Sequence, residues 1–251
     1  MRIVLKFGSG ILANQKGNTL DHRQFRRLAA EVAAPVLAGH ECLIVSSGAV
    51  AAGLSTLGFE QRPDDLAARQ ACAAVGQTKL MHLYAEMFAE HGLEVAQLLL
   101  THGDLDSRMR YSNARNTLDQ IFQRGSVVPI VNENDSVAVE ELRFGDNDKL
   151  SAEVAILASA QRLILLTSVS GLLDPQGKTV PFVEDVDAVA GLARQDKGRL
   201  SVGGMTSKLQ AVKLAVDAGI PTWIVSGRKA GQIAAVLADK SAGTQFSARP
   251  A

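Results

Sequence analysis

Val127-Val128-Pro129-Ile130-Val131-Asn132-Glu133-Asn134-Asp135 is an apolar run that breaks abruptly into polar residues. A strand with one wet face alternates apolar and polar residues. A continuous apolar run is how a strand reads when helices cover both faces. The same reading applies to Arg2–Lys6, Cys42–Ser46, Val95–Leu99, Arg162–Thr167 and Thr222–Val225. Each is followed by turn residues or a polar cluster, and each is separated from the next by helical spacing.

The intervening segments are amphipathic. Asp21 is placed to cap a helix carrying Phe25, Leu28, Ala29, Val32 and Val36 on one face, with Gly39 as its stop and Pro35 as a kink in its last turn. Gln77–His91, Ser112–Arg124, Asn147–Ala158 and Thr206–Ala218 read as further helices, and Asp65–Ala74 as an Ala/Leu-rich helix suited to the core or to an interface, the core being the commoner use of such a pattern. Val137–Phe144 reads as a hairpin arm, and Arg194–Arg199 as a polar loop. Strand–helix alternation over the whole length predicts an α/β fold: a three-layer αβα sandwich around a mostly parallel sheet, formed by residues 1–251 as one domain.

Composition narrows the function classes. Lys and Arg total 26 and Asp and Glu total 26, so no basic excess marks a nucleic-acid partner. No basic amphipathic segment or long apolar run marks a membrane partner. The chain starts without a signal-peptide pattern and holds only Cys42 and Cys72, which reads as a cytoplasmic protein with reduced thiols. The five histidines show no zinc spacing, so no metal site built from side chains is expected.

Chemistry-bearing residues gather where strands end. Lys6-Phe7-Gly8-Ser9-Gly10 follows the first strand, and its glycines allow backbone N–H groups to approach a ligand. Ser46-Ser47-Gly48-Ala49 follows the second, where hydroxyls and a helix start suit an anion, although simple capping accounts for them equally well. Gly203-Gly204-Met205-Thr206-Ser207-Lys208 opens a helix with two hydroxyls and a lysine in its first turn, suited to a phosphate. It lacks the P-loop order, and position 13 is Ala, so the dinucleotide fingerprint is absent as well. Asn132–Asp135 and Gly145-Asp146-Asn147-Asp148 form two Asn/Asp-dense clusters, more than capping requires. Arg143 is the one arginine near them in the sequence. Ligands in open α/β sheets lie beyond the carboxyl ends of the strands, where all these pieces can converge.

Taken in order, these motifs resemble the glutamate 5-kinases of the amino-acid kinase family. The resemblance also includes Ala74-Val75-Gly76-Gln77 and Leu99-Leu100-Thr101, and it runs across nearly the whole chain. It implies ATP-dependent phosphorylation of the side-chain carboxylate of L-glutamate, the first step of proline synthesis, with Mg²⁺ held mainly by the nucleotide phosphates. It also implies a homodimer or homotetramer. By resemblance, Ser47, Asp135 and Asn147 match glutamate-binding positions. Thr167, Ser168, Val202, Gly203, Gly204, Met205, Thr206, Ser207 and Lys208 match ATP-binding positions, and Lys6 a phosphate-binding lysine. Lys6, Asp148 and Lys208 are the expected catalytic set. Ser168 stands where the family usually has Asp, and Val202 where it often has Thr. Many relatives continue into a PUA-type domain, whereas Ala251 follows soon after the expected end of a kinase domain, so a kinase-only form is expected. Acetylglutamate kinase, uridylate kinase, isopentenyl phosphate kinase and a kinase-like binding protein without turnover are the rival readings.

Overall fold

A computed structural model describes residues 1–14, 16–138, 147–193 and 204–248. Its strands are β1 (Arg2–Phe7), β2 (Glu41–Ser46), β3 (Glu94–Leu100), β4 (Val127–Glu133), β5 (Arg162–Thr167), β6 (Phe182–Val183), β7 (Thr222–Ser226) and β8 (Thr244–Phe246). Its α-helices are α1 (Ser9–Leu12), α2 (His22–Leu37), α3 (Ala49–Gly53), α4 (Leu66–Ala89), α5 (His102–Asp106), α6 (Arg108–Phe122), α7 (Asn147–Leu157), α8 (Ala190–Ala193), α9 (Gly204–Asp217) and α10 (Gln232–Leu237).

The strands form one eight-stranded sheet in the order β3-β4-β2-β1-β5-β7-β8-β6. Every pairing is parallel except β7 with β8. All six strands read from the sequence are present. β6 and β8 are too short to show a period, and their place depends on pairing at the sheet edge.

Side-chain alternation sorts the core into two faces. Ile3, Leu5, Phe7, Cys42, Ile44, Val128 and Ile130 pack with α2, α4 and α10 on one face. Val4, Leu43, Val45, Val131, Leu163 and Leu165 pack with α6, α7 and α9 on the other. Position 6 shares its face with Val4, so the lysine one residue before the end of β1 is directed toward α7 and α9.

Asp21 caps α2 as expected, accepting a hydrogen bond from Gln24 N at 3.1 Å. The helix passes through Pro35 and ends two residues later at Leu37, so the backbone bond that Pro35 cannot donate is lost in the last turn. The segments read as Asp65–Ala74 and Gln77–His91 are one helix, α4, capped by Asp65. Gly76 lies between them for a packing reason. A Cβ there would sit 1.7 Å from Ala49 O, and one on Gly53 would sit 1.9 Å from Cys72 O. The two glycines let α3 lie directly on α4. The expected hairpin arm from residue 139 onward and the polar loop 194–199 lie outside the described residues.

Both cysteines are free and buried. Burial pushes the Cys42 thiol up to about 12 and raises that of Cys72. Neither forms appreciable thiolate at pH 8, so neither is expected to react with Ellman's reagent in the native protein. Both should react after unfolding. Rapid native labelling of either would contradict the burial.

Candidate active site

β1 pairs with β2 on one side and β5 on the other. The chain therefore winds away from β1 in one direction and later returns on the opposite side, leaving a crevice at the carboxyl ends of these strands. Lys6 is the next-to-last residue of β1, Ser46 closes β2, Glu133 closes β4 and Thr167 closes β5, so the sequence motifs meet along one rim of the sheet.

At its centre are Lys6, Asp148 and Lys208. Asp148 stands in the first turn of α7 and is fully buried, with Lys6 6% and Lys208 8% exposed. Lys6 Nζ donates to Asp148 Oδ1, and Lys208 Nζ donates to Asp148 Oδ2 at 3.0 Å. Lys208 Nζ also reaches Gly204 O, the start of its own helix, at 3.3 Å. One carboxylate thus holds two ammonium groups and leaves a surplus positive charge in a largely dehydrated setting. Such a centre attracts an anion far more strongly than the same lysines would in water.

The glycine turn after β1 lies beside this centre. Gly8 N donates to Leu166 O at 3.3 Å, and a Cβ on Gly8 would sit 3.6 Å from Lys6 Nζ. Across the turn Ser168 is exposed, and a Cβ on Gly10 would lie 3.8 Å from its Oγ. Thr167 is buried, and its hydroxyl accepts from Val169 N at 3.0 Å, so it shapes the strand-to-loop exit. In α9, Gly204 takes a positive φ of 60°, Thr206 is exposed and Ser207 half-buried. The Met205 side chain is buried in the core, which leaves its backbone as the part able to meet a ligand. Val202 and Gly203 lie outside the described residues.

The acceptor side is built from amides and hydroxyls. Asn147 opens α7 and donates through Nδ2 to Ser46 O and, at 2.7 Å, to Asn132 Oδ1. Ser46 Oγ pairs with Tyr84 OH at 2.8 Å, so this serine is a structural anchor and does not cap α3. Ser47 N donates to Phe7 O at 3.1 Å, which commits that N–H to the sheet rim, so only the Ser47 hydroxyl is left as a donor of this residue. Asp135 is half-buried in the loop after β4.

The structure corrects one expectation here. Arg143 is not the only arginine associated with the acidic clusters. The Arg62 guanidinium is pushed below its ordinary value by desolvation and by Arg69, and Asp135 opposes that shift. Arg62 lies in the segment before α4, so tertiary packing brings a cation from a distant segment toward Asp135, with Arg69 on α4 beside Arg62. Ser46, Gln77, Tyr84 and Asn132 were also missed as individual site-building residues. The one signal for them was polarity at the end of apolar strands and beside a helix glycine.

The amino acid kinase family profile matches residues 1–226. A glutamate 5-kinase of Thermus thermophilus is 46% identical over 254 residues, covering 99% of this chain and 68% of the relative. One of Moorella thermoacetica is 46% identical over 255 residues, covering 99% and 67%. The chain therefore spans about two thirds of the length of these relatives. Among solved structures, a UMP kinase of Bacillus anthracis superposes with a TM-score of 0.65 at 17% identity, covering 99% of this chain and 96% of that one. That likeness carries the fold alone, while the matches to the glutamate 5-kinases cover 99% of this chain and so span the segments from Lys6 to Lys208. The chain belongs to the glutamate 5-kinases of the amino-acid kinase family.

Proposed function

We propose that this protein transfers the γ-phosphoryl group of MgATP to the side-chain carboxylate of free L-glutamate, giving L-glutamyl 5-phosphate for proline synthesis. The observation that carries this reading is the buried Lys6–Asp148–Lys208 centre at the sheet's switch point. The acceptor carboxylate, with an ordinary pKa of about 4.3, is already ionised at neutral pH, so no base is required. The difficulty is bringing an anion to a triphosphate. Lys6 and Lys208 neutralise the charge on the transferring group and hold the reacting oxygens in line. Asp148 aims both ammonium groups and abstracts no proton. Magnesium enters as part of the nucleotide substrate, and Thr167, Ser168 and residues 202–208 form the nucleotide side.

Free glutamate is a zwitterion. Asp135, with the Arg62 cation near it, offers both signs of charge at the acceptor side. Asp135 pairs with the α-ammonium group, and the Ser47 hydroxyl serves the α-carboxylate. N-acetylation would remove the ammonium and leave Asp135 facing an uncharged amide, a costly mismatch. Asp135→Ala is accordingly expected to raise the KM for glutamate about 10–100-fold, with kcat within about threefold of the wild type. Steady-state kinetics with saturating MgATP reads this. A fall in kcat at unchanged KM would remove Asp135 from substrate binding.

The deciding experiment is ADP release with glutamate, N-acetylglutamate or UMP as acceptor, with hydroxylamine present to trap an acyl phosphate. Glutamate alone should support turnover and yield a hydroxamate. Turnover with UMP, or none with any acceptor, would overturn the reading. Residues 1–251 acting as one kinase domain, a cytoplasmic location and a homodimer or homotetramer belong to the same proposal. Sedimentation velocity reads the assembly.

A further inference from the structure

A chain of side-chain amides runs from the sheet edge to the site. Gln97 on β3 accepts from Gln77 Nε2 at 2.8 Å, and Gln77 Oε1 accepts from Asn132 Nδ2 at 2.8 Å. Asn132 Oδ1 then accepts from Asn147 Nδ2 at 2.7 Å. An amide can in principle face either way, so what sets its orientation is decisive.

Two backbone groups give the relay its polarity here, and neither of them satisfies the Asn132 NH₂. Ser46 C=O can only accept, which turns the Asn147 NH₂ toward it. Glu133 N–H can only donate, and it reaches Asn132 Oδ1 at 2.9 Å. Both demand the same orientation of Asn132, whose NH₂ must then point at Gln77. Asn132 is 1% exposed, so water offers that NH₂ little substitute. Both N–H groups of Asn147 are spent on protein acceptors. Its Oδ1 accepts nothing from the described residues, so Asn147 presents an acceptor beside Asp148.

We propose that Gln77 is the positioning residue of this relay: by accepting from Asn132 it holds Asn147 with its oxygen toward the substrate, selecting a cationic donor there. This rests on the glutamate reading above, in which that donor is the α-ammonium group. Gln77 is the first member whose orientation no backbone group dictates. With Oε1 removed, the buried Asn132 NH₂ loses its acceptor, and that unmet demand pulls Asn132 against the bonds from Glu133 N and Asn147 and loosens the hold on Asn147.

Gln77→Leu removes the acceptor. It is expected to raise the KM for glutamate about tenfold, with kcat and the KM for MgATP within about twofold. Gln77→Glu keeps an acceptor oxygen toward Asn132, and Gln97, exposed on the edge strand, can rotate to donate to the other oxygen. Its glutamate KM should stay within about threefold of the wild type. The proposal is overturned by an unchanged glutamate KM in Gln77→Leu, by Gln77→Glu behaving like Gln77→Leu, or by all parameters falling together in Gln77→Leu. Wild-type protein that fails to use glutamate would sink the functional reading separately. The relay is then read by NMR, as exchange of the Asn147 side-chain amide protons: slow in the wild type and in Gln77→Glu, faster in Gln77→Leu. Equal rates in all three would overturn it.

Discussion

Asp148→Ala is expected to lower kcat by roughly 10³-fold, the upper range for losing one preorganised electrostatic element. Asp148 is the shared acceptor for Lys6 and Lys208 and is itself fully buried. Without it, two nearly buried ammonium groups face each other with no counter-charge and move apart, so neither stays aligned with the transferring phosphoryl group. The same change removes the common partner of two buried ion pairs, which costs about 3–5 kcal/mol of stability. For a domain of this size that is a fall of about 10 °C in Tm. Asp148→Asn separates charge from shape: it keeps the volume and part of the hydrogen bonding, so Tm should recover in part while kcat stays low. Stopped ADP-release kinetics and a thermal scan on both variants check this. Wild-type kcat in Asp148→Asn would show that the carboxylate's charge does not aim the lysines.

Lys208→Ala is expected to lower kcat by about 10²–10³-fold, with the KM for glutamate within about threefold. Its ammonium group supplies the surplus charge of the centre, because Asp148 is already matched by Lys6. Removing it leaves a neutral pair and no excess cation for the transition state. Lys208 starts from the helix that begins at Gly204 and folds back to Gly204 O, so its position follows from the first turn of α9. Lys208→Arg keeps the charge but places a planar fork where a point charge sits, and should recover only part of the loss. Single-turnover kinetics separates transfer from product release. A normal transfer rate in Lys208→Ala would remove this lysine from the reaction.

Much of the scaffold was legible because its signals are local. The apolar runs at Arg2–Lys6, Val127–Val131 and Arg162–Thr167 announce strands buried on both faces, and Asp21 and Gly39 bracket α2 within the same short window. The glycine turn after Lys6, Ser47 after β2 and Asn147–Asp148 at a helix start were readable as motifs at strand or helix ends. The merging of two helical segments through Gly76 was not readable, because a glycine looks like a stop until the backbone of α3 is seen lying against it. β8 and β6 were missed because two or three residues carry no period.

The sequence by itself determined the class of fold, the parallel sheet and the set of residues able to handle phosphate and carboxylate, since strand, helix and turn preferences act over a few neighbouring residues. Only the tertiary structure decided who meets whom. Lys6 and Asp148 are 142 residues apart in the chain, and Asp148 and Lys208 are 60 apart. Their meeting depends on β1 lying between β2 and β5, on position 6 falling on the face covered by α7 and α9, and on how those helices pack. The approach of Arg62 to Asp135 and the relay from Gln97 to Asn147 have the same origin. Charges and amides interact through space, and the distance through space is set by packing across the sheet.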